Sequence, residues 1–256
     1  MIVDALILAR LGSSRLEKKH MIKINDKPII NHLIERISKC KTIRKIIVCT
    51  TSNTTDDSFA EYLKNQKILF FRGDESDIIK RLLDASTYYG TDIIVDIEGD
   101  KIYTEPDFVD ESVNTMLNSD YDFVMGSSNP NYVDHSEHSI SAVFPAIIRR
   151  SALEKLYSIK KEKNTQTGYR EYFTSNPIFK CKYITLSKTT VPKNLRLTLD
   201  YEEDLKFAKI IFKSFGNSFT FSDILKLIHQ NPNLLEITNT LLEKWEKNYD
   251  QNFLRS

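Results

Sequence analysis

The sequence predicts an α/β protein in which a largely parallel β-sheet carries helices on both faces. One observation is the short, almost wholly apolar run Val3–Ala9, which is typical of a strand buried on both faces. A second is the alternation of such runs with helix-periodic segments up to residue 97. Parallel neighbours need crossover connections, usually helices, so this alternation indicates repeated β-α-β units.

Each later element of the first 118 residues has its own signal. Pro28 precedes a segment whose isoleucines and Leu33 recur at helical spacing, and Pro106 stands where a further helix is expected to begin. Apolar runs predict strands at Lys45–Thr50, Ile68–Phe71 and Ile93–Ile97. Helical periodicity predicts helices at Thr55–Gln66 and Asp77–Tyr89.

From about residue 120 the alternation becomes irregular. Strands are predicted at Phe123–Met125, Ile140–Pro145, Tyr183–Leu186 and Arg196–Leu199, and a strong helix at Glu202–Phe215. Residues 160–167 have the composition of a solvated loop. Two helix signals in the remainder are separated at Asn231–Pro232. We therefore expect one domain over residues 1–256, with an insertion at about 127–187 and a helical tail at about 219–256.

Composition excludes several function classes. Lys and Arg total 36 and Asp and Glu total 35, a net charge of +1, which argues against a protein that binds nucleic acid. No apolar run approaches the ~20 residues of a membrane helix, and no export signal is recognisable. The 3 cysteines have no metal-ligand spacing. We expect a cytoplasmic protein with reduced cysteines.

The first candidate site is the loop that follows the first strand. It contains Ala9, Arg10, Leu11, Gly12, Ser13, Ser14 and Arg15, with Lys19 downstream. Ligands of parallel α/β sheets bind beyond the carboxyl ends of the strands, where backbone N–H groups and fixed cations can hold phosphate. The pattern is neither a P-loop nor a dinucleotide fingerprint. The alternative interpretation is a flexible connection with scattered basic residues.

Two aspartates form the second candidate site. Asp100 follows the predicted strand Ile93–Ile97, and Asp200 follows Arg196–Leu199. Carboxylates at strand ends are suited to Mg²⁺, which takes hard oxygen ligands and usually only one or two carboxylates. Both residues also have a structural interpretation. Asp100 stands where a turn begins, and Asp200 with Glu203 has the spacing of a helix-capping pair.

Taken together, these motifs resemble a known family. The opening ALILARLGSSRLEKKHMIKINDKPIINHLIERI is similar to that of the cytidylyltransferases related to CMP-Kdo and CMP-sialic acid synthetases, with the spore-coat polysaccharide biosynthesis protein F group most similar. Further matches are Gly73-Asp74-Glu75-Ser76-Asp77-Ile78 with Arg81, Gly99-Asp100, Pro106 and RLTLDYEEDL. The resemblance covers residues 1–118 and 195–250.

The resemblance implies a Rossmann-like, glycosyltransferase-A-type nucleotidyltransferase fold with a mostly parallel mixed sheet. It also implies that CMP is transferred from CTP with release of pyrophosphate. The loop from Ala9 to Arg15, together with Gly73 and Asp74, would bind CTP, Lys19 would contact the phosphates, and Asp100 and Asp200 would hold Mg²⁺. Arg10 and Lys19 would join the two aspartates as catalytic residues. The family frequently dimerises through the middle insertion, so a homodimer is expected.

Departures from the family pattern are concentrated on the acceptor side. The family's Gly-Asp-Cys-Pro-Leu is here Gly99-Asp100-Lys101-Ile102-Tyr103, and a frequent arginine four residues before that aspartate is Asp96. The acidic residues expected near His138 are absent. Gly168-Tyr169-Arg170-Glu171-Tyr172 stands near the place of the usual His-Val-Thr. We expect an altered, anionic acceptor, such as a sugar acid or sugar phosphate of a surface glycan, bound by Lys101, Tyr103, His138, Arg170 and Arg196.

The sequence leaves two other functions open. A glycosyltransferase of related fold would use a finished nucleotide-sugar, although no Asp-x-Asp motif is obvious. A non-catalytic homologue would bind nucleotide without turnover, although Arg10, Arg15, Asp100 and Asp200 are all retained. The sequence also leaves the proton acceptor open between a metal-polarised hydroxyl and a water-linked carboxylate.

Overall fold

The computed structural model describes residues 1–13, 15–131, 139–186, 190–241 and 244–245. The strands are β1 (Val3–Leu8), β2 (Lys23–Ile24), β3 (Lys27–Pro28), β4 (Lys45–Thr51), β5 (Phe70–Gly73), β6 (Ile93–Glu98), β7 (Phe123–Gly126), β8 (Ala146–Arg149) and β9 (Cys181–Ile184). The helices are α1 (Ile29–Ile37), α2 (Asp57–Asn65), α3 (Ile78–Tyr89), α4 (Pro106–Leu117), α5 (Ile140–Val143), α6 (Arg150–Ile159), α7 (Glu171–Thr174), α8 (Glu202–Phe215) and α9 (Phe221–Gln230). Short 3-10 turns lie at Lys19–Met21, Thr54–Asp56 and Pro232–Ile237.

A seven-stranded mixed sheet forms the centre of the molecule, in the order β5-β4-β1-β6-β8-β7-β9. Its pairs are parallel except those of β8, which runs antiparallel to both β6 and β7. The predicted fold class, a mostly parallel mixed sheet flanked by helices, is confirmed. The strand order places β1 between β4 and β6, so the loop after β1 lies beside the loop after β6.

Apolar side chains pack on both faces of the sheet. In β1, Ala5 and Ile7 belong to one core, while Leu6 and Leu8 belong to the other. The first core includes residues of α1, α4, α8 and α9, and the second includes residues of α3 and α6. Burial on both faces explains why β1 appears in the sequence as an almost wholly apolar run.

The strand predicted at Ile140–Pro145 is wrong. Ile140–Val143 is a single helical turn, and its end is closed by the Phe144 N–H donating to the Ile140 carbonyl over 3.0 Å. The strand β8 begins only at Ala146. A short apolar run is compatible with either a buried strand or a buried turn of helix, and pairing with β6 and β7 begins only at Ala146.

The strand predicted at Arg196–Leu199 is also wrong. Leu195, Leu197 and Leu199 are buried in the core, so the alternation does report which side chains face inward. The segment nevertheless has no strand assignment and pairs with no strand of the sheet. Alternation therefore predicted the burial of its side chains but not the backbone partner that a strand requires.

Much of the predicted insertion belongs to the main sheet. β8 and β9 are sheet strands, and α6 covers the face on which α3 packs. These parts of residues 127–187 therefore contribute to the sheet and to one of its helical layers, and contact with a second copy stays a prediction. In the tail, α9 ends at Gln230 and a 3-10 turn begins at Pro232, which agrees with the break predicted at Asn231–Pro232. None of the helices in the described part of the chain has the length and apolar character of a membrane span.

Candidate active site

A cavity of about 360 Å³ lies at the carboxyl ends of β1 and β6. The Gly99 N–H donates to the Leu8 carbonyl over 2.8 Å, which joins the two strand ends that open into it. Its lining includes Leu8 and the following predicted residues: Ala9, Arg10, Gly12, Ser13, Arg15, Lys19 and Asp100. The structure thus brings the predicted loop and one predicted carboxylate to the same cavity.

Lys19 connects the two predicted carboxylates. Its Nζ lies 2.7 Å from Asp100 Oδ2 and 2.9 Å from Asp200 Oδ1. Burial disfavours the charged ammonium, but the attraction of Asp100 and Asp200 outweighs it and holds the pKa of Lys19 above its ordinary value. A positive charge is therefore stabilised between two aspartates that are 100 positions apart in the sequence.

Asp200 is held by two further cations. Arg15 Nη2 lies 2.8 Å from its Oδ1, and Arg196 Nη2 lies 3.0 Å from its Oδ2. Burial alone would raise the pKa of Asp200, but Lys19, Arg15 and Arg196 hold it well below its usual range. This carboxylate is ionised and already surrounded by donors.

Helix capping is performed by Asp204 rather than by Asp200. Asp204 Oδ2 accepts from the backbone N–H groups of Asp200 and Tyr201, at 2.9 and 3.0 Å, at the start of α8. Its other oxygen accepts from Arg196 Nε at 2.9 Å. The structural interpretation of Asp200 as a cap paired with Glu203 is therefore wrong. Asp204 is a supporting residue that sequence reasoning missed.

Three predicted nucleotide-binding residues do not line the cavity. Leu11 is buried, and its N–H donates over 2.7 Å to Asp56 Oδ1 in the turn after β4. Gly73 packs against Arg81, whose Cγ would lie 2.9 Å from an added Cβ. Asp74 Oδ1 accepts from the backbone N–H groups of Ser76 and Asp77. These three residues therefore lie outside the cavity lining and contact other residues of the protein.

The predicted acceptor cations Lys101 and Arg170 are paired inside the protein. Arg170 Nη2 lies 2.9 Å from Asp96 Oδ2, and Lys101 Nζ lies 2.7 Å from Glu98 Oε2. Burial would raise the pKa of Glu98, but Lys101 and then Arg170 lower it to about 2. The charges that were expected to attract an anionic acceptor are thus compensated by the two acids of β6.

The other predicted acceptor residues are placed elsewhere. Tyr103 is 1% exposed, and its ring packs near that of Phe219. Arg196 is buried behind Asp200 and therefore orients that carboxylate instead of contacting a substrate. The prediction that Tyr103 and Arg196 bind the acceptor is therefore wrong, because both side chains are buried. His138 lies outside the described residues.

The cavity also contains residues that sequence reasoning did not assign to it: His20, Ile78, Arg81, Glu98, Gln166 and Thr167. Arg81 is 3% exposed and makes no ion pair among the described residues, and burial lowers its pKa. A buried charge without a partner is costly unless a ligand supplies one. The sequence signal for Arg81 was that it belongs, with Gly73-Asp74-Glu75-Ser76-Asp77-Ile78, to a motif that resembles the family.

His20 lies directly after Lys19 and packs against Gly99. An added Cβ on Gly99 would lie 2.7 Å from His20 Cε1, so glycine is needed for this close approach. Burial, and then the charge of Lys19, lower the pKa of His20 to about 3. The imidazole is therefore neutral at pH 7 and contributes shape, not charge, to the wall beside Asp100.

The arrangement of Asp100 and Asp200 fits a divalent cation. Their oxygens converge on one ammonium, which marks a position where positive charge is stabilised. No group of three or more potential metal ligands exists among the described residues. Mg²⁺ commonly uses one or two carboxylates together with phosphate oxygens and water, so two aspartates are a suitable donor set.

Comparison with known proteins identifies the family. The profile of the cytidylyltransferase family matches residues 5–235. The chain belongs to the cytidylyltransferase family. The nucleotidyltransferase resemblance of the sequence is thereby confirmed, whereas the narrower likeness to the spore-coat group stays an expectation.

The chain is also similar to individual proteins, two of which are named as cytidylyltransferases. An uncharacterized protein of Methanocaldococcus jannaschii is 29% identical over 94% of this chain and 96% of its own length. A 3-deoxy-manno-octulosonate cytidylyltransferase of Geobacter sulfurreducens is 28% identical, and the match spans 43% of this chain and 44% of that protein. The structure of a cytidylyltransferase from Leptospira borgpetersenii superposes with a TM-score of 0.78 and 29% identity, over 92% of this chain and 97% of the other.

Proposed function

We propose that this cytidylyltransferase transfers CMP from CTP to a small anionic acceptor, a sugar acid or sugar phosphate used in surface glycan synthesis, with Mg²⁺ as cofactor and pyrophosphate as the second product. The observation that carries the proposal is the Lys19 ammonium held between Asp100 and Asp200 at the cavity. A cation, two carboxylates and a basic loop at one strand edge are what a triphosphate with its metal requires.

The charge of the cavity supports a triphosphate ligand. Four cationic side chains (Arg10, Arg15, Lys19 and Arg81) and two acidic ones (Glu98 and Asp100) line it. Gly12 leaves open space beside its backbone: apart from its chain neighbours, no atom of the described residues lies within 4 Å of an added Cβ. We assign the triphosphate to the loop from Ala9 to Arg15 and to Lys19, whose charges oppose those of the phosphates.

Asp100 and Asp200 would hold Mg²⁺, which when bound neutralises phosphate charge and polarises the α-phosphate. The Lys19 ammonium, which lies between the two carboxylates, would contribute positive charge to the phosphates. Arg196 Nη2 lies 3.0 Å from Asp200 Oδ2 and keeps this carboxylate oriented. Asp204 in turn holds Arg196, because its Oδ1 lies 2.9 Å from Arg196 Nε.

In the reaction, an acceptor oxygen forms a bond to the α-phosphorus while the bond to the bridging oxygen of the β-phosphate breaks. Pyrophosphate leaves, and a hydroxyl acceptor passes its proton to water. Such transfers need little covalent help from the protein, because alignment and charge stabilisation supply most of the rate acceleration. Arg10, Arg15 and Lys19 would stabilise the charge that develops on pyrophosphate.

Two observations support an anionic acceptor. The Geobacter relative is named for a sugar acid, 3-deoxy-manno-octulosonate. Arg81 brings a buried guanidinium to the cavity without an acidic partner among the described residues. This support replaces that of Lys101 and Arg170, whose charges Glu98 and Asp96 compensate.

Calorimetry with and without Mg²⁺ tests the nucleotide assignment. We expect CTP to bind more tightly than UDP-glucose, and the gain from Mg²⁺ to disappear in Asp100→Asn. Tighter binding of UDP-glucose would instead indicate a glycosyltransferase. Absence of CTP binding to the wild-type protein, at millimolar nucleotide and with Mg²⁺ present, would contradict the proposal.

A further inference from the structure

Residues 160–170, here called the strap, run along one side of the cavity. The composition of residues 160–167 predicts a solvated loop, yet Thr165 is fully buried and the Lys160 side chain is only 6% exposed. Gln166 and Thr167 line the cavity. At its other end the strap reaches β6 through the contact of Arg170 with Asp96.

Asp77, at the start of α3, fixes the strap. One of its oxygens lies 2.6 Å from Lys160 Nζ, and the other accepts from the Thr165 hydroxyl at 2.9 Å. The Thr165 N–H donates to the Ser76 carbonyl over 2.9 Å. The Asp77 side chain is itself 8% exposed, so this clasp of Asp77, Lys160 and Thr165 is shielded from water. A shielded, charge-assisted contact of this kind holds the strap in one position.

The clasp places Gln166 against Arg10. Arg10 Nη2 donates to Gln166 Oε1 over 2.8 Å, across 156 positions of sequence. A guanidinium has only donors, so the amide oxygen must face it, and its other N–H groups stay available to a ligand. The amide is uncharged and therefore orients Arg10 without cancelling its charge. Glu75 Oε1, by contrast, lies 3.8 Å from Arg10 Nη1 and is 47% exposed.

We propose that Gln166 is a positioning residue for nucleotide binding, which acts through Arg10 and is held in place by the clasp. The strap thus completes the phosphate site from a distant part of the chain. The inference rests on the proposed function in one respect, namely that a nucleotide phosphate is the ligand of Arg10. A side chain that is already oriented loses less conformational freedom when its ligand binds.

A double-mutant cycle on CTP affinity tests the route through Arg10. We expect Gln166→Met to weaken CTP binding about 5- to 10-fold and to have no further effect in an Arg10→Met background. Asp77→Asn, which weakens the clasp, should change affinity in the same direction as Gln166→Met. Lys163→Met, at an exposed position of the same strap, is the matched control and should leave affinity unchanged. Additive effects of Gln166→Met and Arg10→Met would overturn the proposal.

A second readout needs no nucleotide. Phenylglyoxal modifies accessible arginines, and the rate at Arg10, whose side chain is 34% exposed, can be followed by mass spectrometry of the free protein. We expect several-fold faster modification of Arg10 in Gln166→Met and unchanged modification in Lys163→Met. An unchanged rate in Gln166→Met would overturn the positioning role. If the wild-type protein bound no CTP, the proposed function would fail, and this rate alone would decide whether Gln166 positions Arg10.

Discussion

Asp100 and Asp200 share one lysine but differ in what else holds them. Asp100 is 21% exposed at its side chain and contacts Lys19, whereas Asp200 is 3% exposed and contacts Lys19, Arg15 and Arg196. Removing the charge of Asp200 therefore leaves buried cations short of a partner, while removing that of Asp100 affects a partly hydrated group. The two residues should be separable by experiment.

We expect Asp100→Asn and Asp200→Asn each to lower pyrophosphate release from CTP more than ~100-fold, because both carboxylates are assigned to the metal. Only Asp200→Asn should also lower the free energy of unfolding strongly, by about 3–5 kcal/mol. Urea denaturation measured beside the activity assay checks this. Equal stability losses in the two variants would contradict the assigned difference in burial.

The pH dependence of stability has a contribution from His20. Its pKa is about 3 in the folded protein, against 6.5 for the unperturbed group. Since the unfolded state binds the proton more readily, this contribution to stability is complete above pH 6.5 and decreases as the pH falls from 6.5 towards 3. At pH 5 the expected loss is about 2 kcal/mol.

His20→Gln should therefore lose less stability than the wild-type protein between pH 7.5 and pH 5, as measured by urea denaturation without nucleotide or metal. His229→Gln, at an exposed position, is the control and should behave as the wild type. The same acid-induced loss in His20→Gln and in the wild type would disprove this assignment.

At the level of elements, Gly126 of β7 packs closely against Phe144, the residue that follows α5. An added Cβ on Gly126 would lie 2.3 Å from Cγ of Phe144, whose ring also stacks on Phe108 at 4.3 Å between centroids. We expect Gly126→Ala to destabilise the protein by about 1–3 kcal/mol, since overpacking must displace this ring. Gly12→Ala should leave the stability within about 0.5 kcal/mol. Thermal denaturation compares the two, and equal melting temperatures would contradict the packing argument.

The elements that the sequence predicts well are those with local signals. Apolar runs and helical periodicity identified β1, β4, β5, β6 and the helices α1 to α4, but not the short strands β2 and β3. The Pro28 and Pro106 boundaries agree with α1 and α4. The failures at 140–145 and 196–199 concern segments whose state depends on a distant neighbour. Apolar character predicted the burial of both, but only the strand order determines whether a backbone partner exists.

The candidate site divides in the same way. The loop after β1 and Asp100 are predictable because a strand end positions each of them. No strand end positions Arg81 or Gln166, since their place at the cavity depends on how α3 and the strap pack. For Arg81 the family-like motif was a signal, whereas Gln166 had none. The neutralisation of Arg170 by Asp96 was likewise not predictable, because this pair joins residues 74 positions apart.

For the whole molecule, a net charge of +1 conceals a local separation of charge. The cavity carries an excess of cations, while acidic residues such as Asp96, Asp77 and Asp204 compensate other cations inside the protein. A nearly neutral chain can thus present a positive site for a triphosphate without being basic overall. This separation is the basis for assigning CTP and its metal to the strand edge.

The central claim is that CMP is transferred from CTP at this site. Its most direct test follows the label of CTP labelled in the α-phosphate, incubated with Mg²⁺ and a panel of sugar acids and sugar phosphates that includes 3-deoxy-manno-octulosonate. We predict that the label enters a CMP-bearing product with one equivalent of pyrophosphate, and that Asp100→Asn nearly abolishes this product. Recovery of all label as CTP or free CMP with every acceptor would contradict the claim.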